Sequence, residues 1–186
     1  ISLTGSLPAG CGPHDVAIAL VGKLFKSGYV KNKVMEFVGP GVANLSADYR
    51  NGIDVMTTET TCWSSIWQTD DTTKEYFVQH GRPEAYKELK PADVAYYDGC
   101  IELDLSTVEC MIALPMHPSY AYPIRELKAN AKEILQAAQL AHGGQPAKAA
   151  VKYADGAVIH AVFPSFPGQV RSAGRSGPAP ADPRAP

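Results

Sequence analysis

The sequence predicts an α/β fold: a three-layer α/β/α domain with a mostly parallel sheet between helices. Three observations carry that expectation. A short apolar run, Val34 to Val38, ends in Gly39-Pro40-Gly41 and leads into Leu45, Tyr49, Ile53 and Met56 at helical spacing. Ile101, Leu103 and Leu105 alternate with Glu102 and Asp104, the period of a half-buried strand. Apolar residues also recur at helical spacing before the first of these stretches and again after Pro123.

The first helix is expected from Pro13, which suits an opening turn, with Asp15 at its positive end. Val16, Ala17, Leu20, Val21, Leu24 and Phe25 make one apolar face, and Gly28 stops the helix after Ser27. The strand at Val34 follows, then the glycine turn, then a helix reaching Met56. A polar run, Thr57-Thr58-Glu59-Thr60-Thr61, separates that helix from the apolar residues Cys62, Trp63, Ile66 and Trp67. Asp70 or Asp71 is expected to cap a helix running through Tyr76 and Phe77 to His80, closed by Gly81. Arg82-Pro83-Glu84 starts another short helix with Tyr86 and Leu89 turned inward. Asp98 reads as a turn residue, and Met111 to Leu114 as a short strand bounded by Pro115. Pro118 and Pro123 bracket an extended crossing. One helix is then expected from Ile124 to Leu140, with Leu127, Ala131, Ile134, Leu135 and Ala138 on its apolar side, ended by Gly143-Gly144.

Three segments are expected: an α/β domain over 1–144, a weak strand pair about Asp155-Gly156 over 145–162, and a disordered tail rich in Pro, Ala and Arg over 163–186. The tail has too few apolar anchors to offset its ordering entropy. With Ile1 in first place, the chain is expected to be a piece of a longer protein. The tail is expected to reflect a truncated or frame-shifted reading of the gene, with a natural proline-rich tail as the alternative.

Composition excludes several classes. The 186 residues are 45% hydrophobic and 19% charged, ordinary for a soluble globular domain. A net charge of -2 gives no electrostatic case for nucleic acid. No apolar stretch is long enough for a membrane helix, and a cytoplasmic location is expected. Cys11, Cys62, Cys100 and Cys110 form no C-x-x-C pattern and read as buried free thiols. The histidines His14, His80, His117, His142 and His160 form no ligand pattern, so no metal site is expected. Gly10-Cys11-Gly12 lacks the lysine and serine of a phosphate loop, and Asp70-Asp71 reads as a cap.

Glu59 is the candidate catalytic residue. It is a carboxylate among hydroxyls, expected at the C-terminal end of a packed helix, where it opposes the helix dipole by about 0.3–1 kcal/mol. That placement suits a carboxylate presented into a cleft and held by its neighbours, against the plain alternative of a glutamate facing water.

The stretch Phe37-Val38-Gly39-Pro40-Gly41-Val42, followed by Glu59-Thr60-Thr61, resembles the aconitase family of iron–sulfur hydro-lyases, including isopropylmalate dehydratase. Gly12-Pro13-His14-Asp15-Val16, Tyr97-Asp98 and Ile101-Glu102-Leu103-Asp104-Leu105-Ser106 match in order, so the resemblance covers roughly residues 1 to 140. It implies the fold of the iron–sulfur region of the large subunit. It also implies dehydration and rehydration of a hydroxy di- or tricarboxylic acid, with a [4Fe–4S] cluster acting through one open iron as Lewis acid. Glu59 would correspond to the glutamate that hydrogen-bonds the iron-bound oxygen and helps protonate the departing water. Thr58, Thr60 and Thr61 would form the substrate or cluster neighbourhood. At Val55 the family pattern carries asparagine, a departure that points to a hydratase-like branch. The cluster cysteines and the serine base belong to parts of the family not represented here. The chain alone is therefore expected to hold no cluster and to be inactive, its partners being the remaining aconitase domains and the hydroxy-acid substrate. The alternative is a non-catalytic interaction or scaffold domain derived from that family. RNA binding, known for some aconitases, finds no basic stripe here.

Overall fold

The computed structural model describes residues 1–141, 148–152 and 158–162. Gly143-Gly144 and the tail over 163–186 lie outside the described residues. The chain divides into two units, Ile1–Ala138 and Gln139–Pro186. In the second, β7 (Lys148–Lys152) and β8 (Val158–Val162) pair antiparallel.

The first unit mixes helices with short strands. β1 (Ser2–Thr4) pairs in parallel with β4 (Glu102–Asp104), Leu3 facing Leu103. β2 (Val34–Phe37) pairs in parallel with β3 (Ser64–Trp67), Phe37 facing Trp67. The two ladders touch through β1: the Leu3 amide donates to Val38 O at 2.8 Å and the Val38 amide to Ile1 O at 2.9 Å. The strands therefore run in the order β3-β2-β1-β4. β5 (Met111–Ala113) and β6 (Ala121–Pro123) make a separate antiparallel pair.

The glycine turn after β2 lies directly against β1. A Cβ at Gly39 would stand 2.6 Å from Leu3 O, and one at Gly41 2.8 Å from Leu3 C and Thr4 N. Gly39 also has φ of 98°, a region other residues rarely adopt. Only glycines let the turn approach so closely, which explains the Gly-Pro-Gly spacing.

α1 (Pro13–Leu24) forms as its face predicts, with Val16, Ala17, Leu20, Val21 and Leu24 buried. Asp15 closes its first turn by accepting from the Gly12 amide at 2.7 Å. The helix ends at Leu24, before Ser27, where the Ser27 hydroxyl donates to Leu24 O at 2.9 Å and the chain enters tight turns that run through Gly28 to Asn32. With Leu3, Met35, Phe37, Val42, Leu45, Ile53, Leu103 and Leu105, this face builds one core.

The next helix differs from its expected span. Pro40–Asn44 form a 3₁₀ turn and Leu45 is extended, so α2 (Ala47–Asp54) starts only after the Ser46 cap, whose hydroxyl accepts from the Tyr49 amide at 3.2 Å. Leu45 and Ile53 are buried, Tyr49 is exposed, and Arg50 is buried instead. α3 (Asp71–Gln79) is capped by Asp70 and closed at Gly81. After it, Pro83–Ala85 make only a 3₁₀ turn and Leu89 is 49% exposed. That segment is held by hydrogen bonds instead: the Thr69 amide donates to Leu89 O, and the Leu89 amide donates to Thr69 Oγ1.

The last helix is two. α4 (Ile124–Ala129) closes at Asn130, and α5 (Ala131–Ala141) begins there, Asn130 O accepting from the Ile134 amide at 3.0 Å. Leu127 and Ile134 pack with Leu114 against Ile112, Tyr120 and Tyr122 in a small second core. Among the described residues no helix is long and apolar enough to cross a membrane.

Candidate functional site

Glu59 sits on a separate 3₁₀ turn, Thr57–Thr60, not at the end of α2, which closes at Val55. A 3₁₀ turn eclipses residues three apart, so Thr57 and Thr60 share its inner face and both are buried. Thr60 Oγ1 donates to Thr57 O at 2.6 Å, and Thr57 Oγ1 to Asp54 O at 2.8 Å. Thr58 and Glu59 face outward, and Thr61 closes the turn in the left-handed region at φ 65°. The expectation that hydroxyls hold Glu59 therefore fails. Thr57 and Thr60 donate to backbone carbonyls, and Thr57 Oγ1 also meets Ser65 Oγ, which donates to a different carboxylate.

That carboxylate is Asp54. Its Oδ1 accepts from Ser65 Oγ in a short contact and from Trp67 Nε1 at 3.0 Å, while Ser65 Oγ lies 2.8 Å from Thr57 Oγ1. The network ties the end of α2 to β3.

Glu59 faces His117 instead. Its Oε2 lies 3.7 Å from His117 Nε2, in ion-pair range, with the Glu59 side chain 47% exposed. The Glu59 carboxylate thus lies at a half-open surface of this chain, and the grooves around Ile1–Tyr29–Cys100 and around Ser6–Tyr49 are lined by other residues. His117 is held firmly. Phe25 packs on its ring at 3.9 Å between centroids, and its Nδ1 accepts from the Ser119 amide at 3.1 Å. In the neutral ring an accepting Nδ1 leaves the proton on Nε2, the nitrogen that faces Glu59. The preceding Met116 has φ of 91°, a costly conformation for a side-chain-bearing residue. Such strain accumulates where a fold must present a particular group. Sequence spacing passed over His117 because it has no histidine partner; its signal was its place between Pro115 and Pro118.

An ion pair between Arg50 and Asp70 lies upstream. Arg50 uses all five N–H donors: Nε to Leu45 O, two bonds to Asp70, one to Thr73 Oγ1 and one to Val42 O, at 2.6–3.1 Å. Burial pushes the Asp70 carboxyl up, but hydrogen bonds from Arg50 and Thr73 and the Arg50 charge outweigh it and hold the carboxyl below its ordinary value. This arrangement is complete within the fold.

The cysteines differ from expectation: only Cys62 is buried, Cys11 is half-buried, and Cys100 and Cys110 are exposed. Cys62 donates to Thr57 O at 3.3 Å, and Cys100 lines the groove beside Ile1. Cys11 and Cys110 meet, their sulfurs 3.8 Å apart. Burial, the hydrogen bond with Cys110 and the nearby negative groups push the Cys11 thiol up to about 11. A [4Fe–4S] cluster with one open iron needs three converging thiolates. Among the described residues two sulfurs converge, so these residues do not fit that cluster.

The sequence profile described as Aconitase family (aconitate hydratase) matches residues 1–165. Aconitate hydratase A of Thermus thermophilus is 35% identical over 140 residues, covering 68% of this chain and 15% of that protein. The 3-isopropylmalate dehydratase large subunit of Staphylococcus epidermidis is 33% identical over 144 residues, 69% of this chain and 30% of its own length. A mitochondrial homoaconitase of Yarrowia lipolytica is 35% identical over 129 residues, 62% of this chain and 19% of the relative. The chain thus spans less than a third of each of these relatives.

Proposed function

The chain belongs to the aconitase family, and from that premise we propose that it contributes Glu59 as a proton-handling carboxylate to a hydro-lyase acting on a hydroxy di- or tricarboxylic acid. The observation that carries this reading is the state of Glu59. Its carboxylate is half-exposed, has no backbone bond among the described residues, and faces a histidine fixed by a strained turn.

Loss of a hydroxyl as water requires a proton on the leaving oxygen. A protonated Glu59 carboxyl delivers that proton from one oxygen, and in the hydration direction the carboxylate takes it back from water. His117 Nε2 faces Oε2, so it orients the carboxylate and leaves Oε1 toward substrate. Thr58 and Thr61, exposed beside Glu59, belong to the substrate neighbourhood under this reading, while Thr60 supports the turn from inside.

In the intact protein a [4Fe–4S] cluster would supply Lewis-acid chemistry at the substrate hydroxyl and carboxylate. Its ligands would come from outside this chain, since the thiols here do not converge as it requires. The remaining domains would cover the surface that leaves Glu59 half open, and would complete a three-layer arrangement around the small parallel ladders. By itself the chain would then be inactive. Exposed Val55, where the family pattern has asparagine, favours a hydratase-like branch over a citrate-specific one.

The test is an assay of the full-length protein carrying this stretch against aconitate, 3-isopropylmalate and 2,3-dimethylmalate. Reversible exchange between a hydroxy acid and its unsaturated product is expected for at least one. A folded, metal-replete protein that converts none of them would overturn the reading and favour a non-catalytic interaction domain.

A further inference from the structure

Two segments of unit 1 that lie far apart in sequence bring three metal-ligating groups to one point. Cys11 lies in the loop ahead of α1, and Cys110 lies just ahead of β5. Their sulfurs are 3.8 Å apart across 99 residues of sequence separation. Asp15 joins them: one atom from each of the three residues lies within 4.8 Å of the other two. We propose that Cys11, Cys110 and Asp15 form a binding site for one thiophilic divalent cation of the zinc class. The proposal does not depend on the chemistry assigned to Glu59.

The distances favour a cation over a disulfide. A disulfide requires sulfurs at about 2.05 Å, so the side chains would have to leave the positions they hold at 3.8 Å. Two thiolates on a tetrahedral cation, each bonded at about 2.3 Å, stand roughly 3.8 Å apart. The sulfurs already have that separation. The donor set agrees: two thiolates and a carboxylate suit zinc or cadmium, whereas magnesium and calcium take oxygen alone. Two thiolates are also too few for the family's cluster.

The site is prepared by the backbone around it. Asp15 Oδ2 accepts from the Gly12 amide at 2.7 Å and Oδ1 from the Met111 amide at 2.6 Å. One bond comes from the segment of each cysteine, so the carboxylate is fixed between them, as outer bonds fix ligands in built metal sites. Each thiol donates to the opposite segment, Cys11 Sγ to Val108 O at 3.5 Å and Cys110 Sγ to Gly10 O at 3.6 Å, which keeps the two segments side by side. Both cysteines line a groove that opens to solvent beside Thr107 and Lys128, giving a cation a route in. Binding replaces the two thiol protons, which leave to solvent, and forms two metal–sulfur bonds and one metal–oxygen bond. With three protein ligands, the fourth position faces the groove and is available to water.

The experiment uses the chain as it is, reduced and kept free of oxygen. Cobalt(II) is added as an optical probe, and zinc is then titrated against it. One cobalt per chain with thiolate-to-cobalt charge-transfer absorption is expected, displaced by one equivalent of zinc. Cys11→Ser and Cys110→Ser should each abolish that absorption and weaken zinc binding more than about tenfold. Cys62→Ser and Cys100→Ser should leave both intact. A second readout needs no variant: zinc should protect Cys11 and Cys110 of the unaltered chain from alkylation, located by peptide mass, while Cys100 continues to react. Absence of the charge-transfer band, or zinc protection at Cys100 without protection at Cys11 and Cys110, would overturn the proposal. So would a mass two hydrogens lower, with Cys11 and Cys110 joined, that persists under the reducing conditions of the titration.

Discussion

The Arg50–Asp70 pair and the Glu59–His117 pair lie in the same stretch of chain and are built in opposite ways. Arg50 is 5% exposed and spends every donor on the fold, and Asp70 also caps α3. The Glu59 side chain is 47% exposed, has no backbone bond among the described residues, and lies 3.7 Å from His117. The first pair would be costly to break and has no capacity left for a ligand. The second costs the fold little and keeps its bonding capacity free. The difference teaches that burial and saturation mark the charges that hold this domain together, and that a function is better sought in the charge left unsaturated beside a strained turn.

The largest effect on stability is expected at the saturated pair. Asp70→Asn leaves the buried Arg50 guanidinium short of its counter-charge. Breaking a buried pair costs about 3–5 kcal/mol, and Asp70, 26% exposed, places the loss near the lower end. Urea midpoints of the two forms measure it, and a loss below about 1 kcal/mol would mean the pair is effectively solvated. Gly41→Ala comes next. Its Cβ would stand 2.8 Å from backbone atoms of Leu3 and Thr4, which cannot swing aside, so an overpacking cost of about 1–3 kcal/mol is expected. An unchanged midpoint would show that the turn is not pressed on β1. Thr60→Val is smaller, about 1 kcal/mol, since it removes one buried hydrogen bond to Thr57 O while keeping the shape.

Acid provides a finer test of the same contrast. Asp70 has its folded pKa held below its ordinary 3.8, so the unfolded chain takes up its proton first as pH falls. Its contribution is therefore present above about pH 3.8 and is lost as pH drops through the folded value. The stability gap between the unaltered chain and Asp70→Asn should narrow below pH 3.8. A gap constant across that window would contradict the coupling of Asp70 to Arg50.

Much of the fold was legible because period and punctuation agree. The face of α1, the Asp70 cap and Gly81 stop of α3, and the alternation through β4 are local signals, and the structure follows them. The misreadings arise where local and distant terms compete. Helical spacing from Leu45 to Met56 suggested one long helix, but Pro40–Asn44 first tighten into a 3₁₀ turn, and Arg50 finds its partner at Asp70, a residue no periodicity points to. The threonine run looked like a cradle for Glu59, yet three-residue eclipsing turns Thr57 and Thr60 inward. Asn130 splits the last helix because its carbonyl opens a new one. His117 and the meeting of Cys11 with Cys110 depend on contacts made only once the chain has folded, so spacing along the sequence could not reveal them.

The central claim is that Glu59 is spare to the fold and needed by the chemistry. It is tested most directly by Glu59→Gln in a full-length family member carrying this stretch, with turnover per cofactor-loaded molecule measured beside the denaturant midpoint. Glutamine keeps the size and hydrogen-bonding capacity but cannot exchange a proton as a carboxyl does. The account predicts a rate loss of about 10²–10⁴, with stability changed by no more than about 0.5 kcal/mol. A rate loss of less than about threefold, or a midpoint shift as large as that of Asp70→Asn with the rate per folded molecule intact, would contradict it.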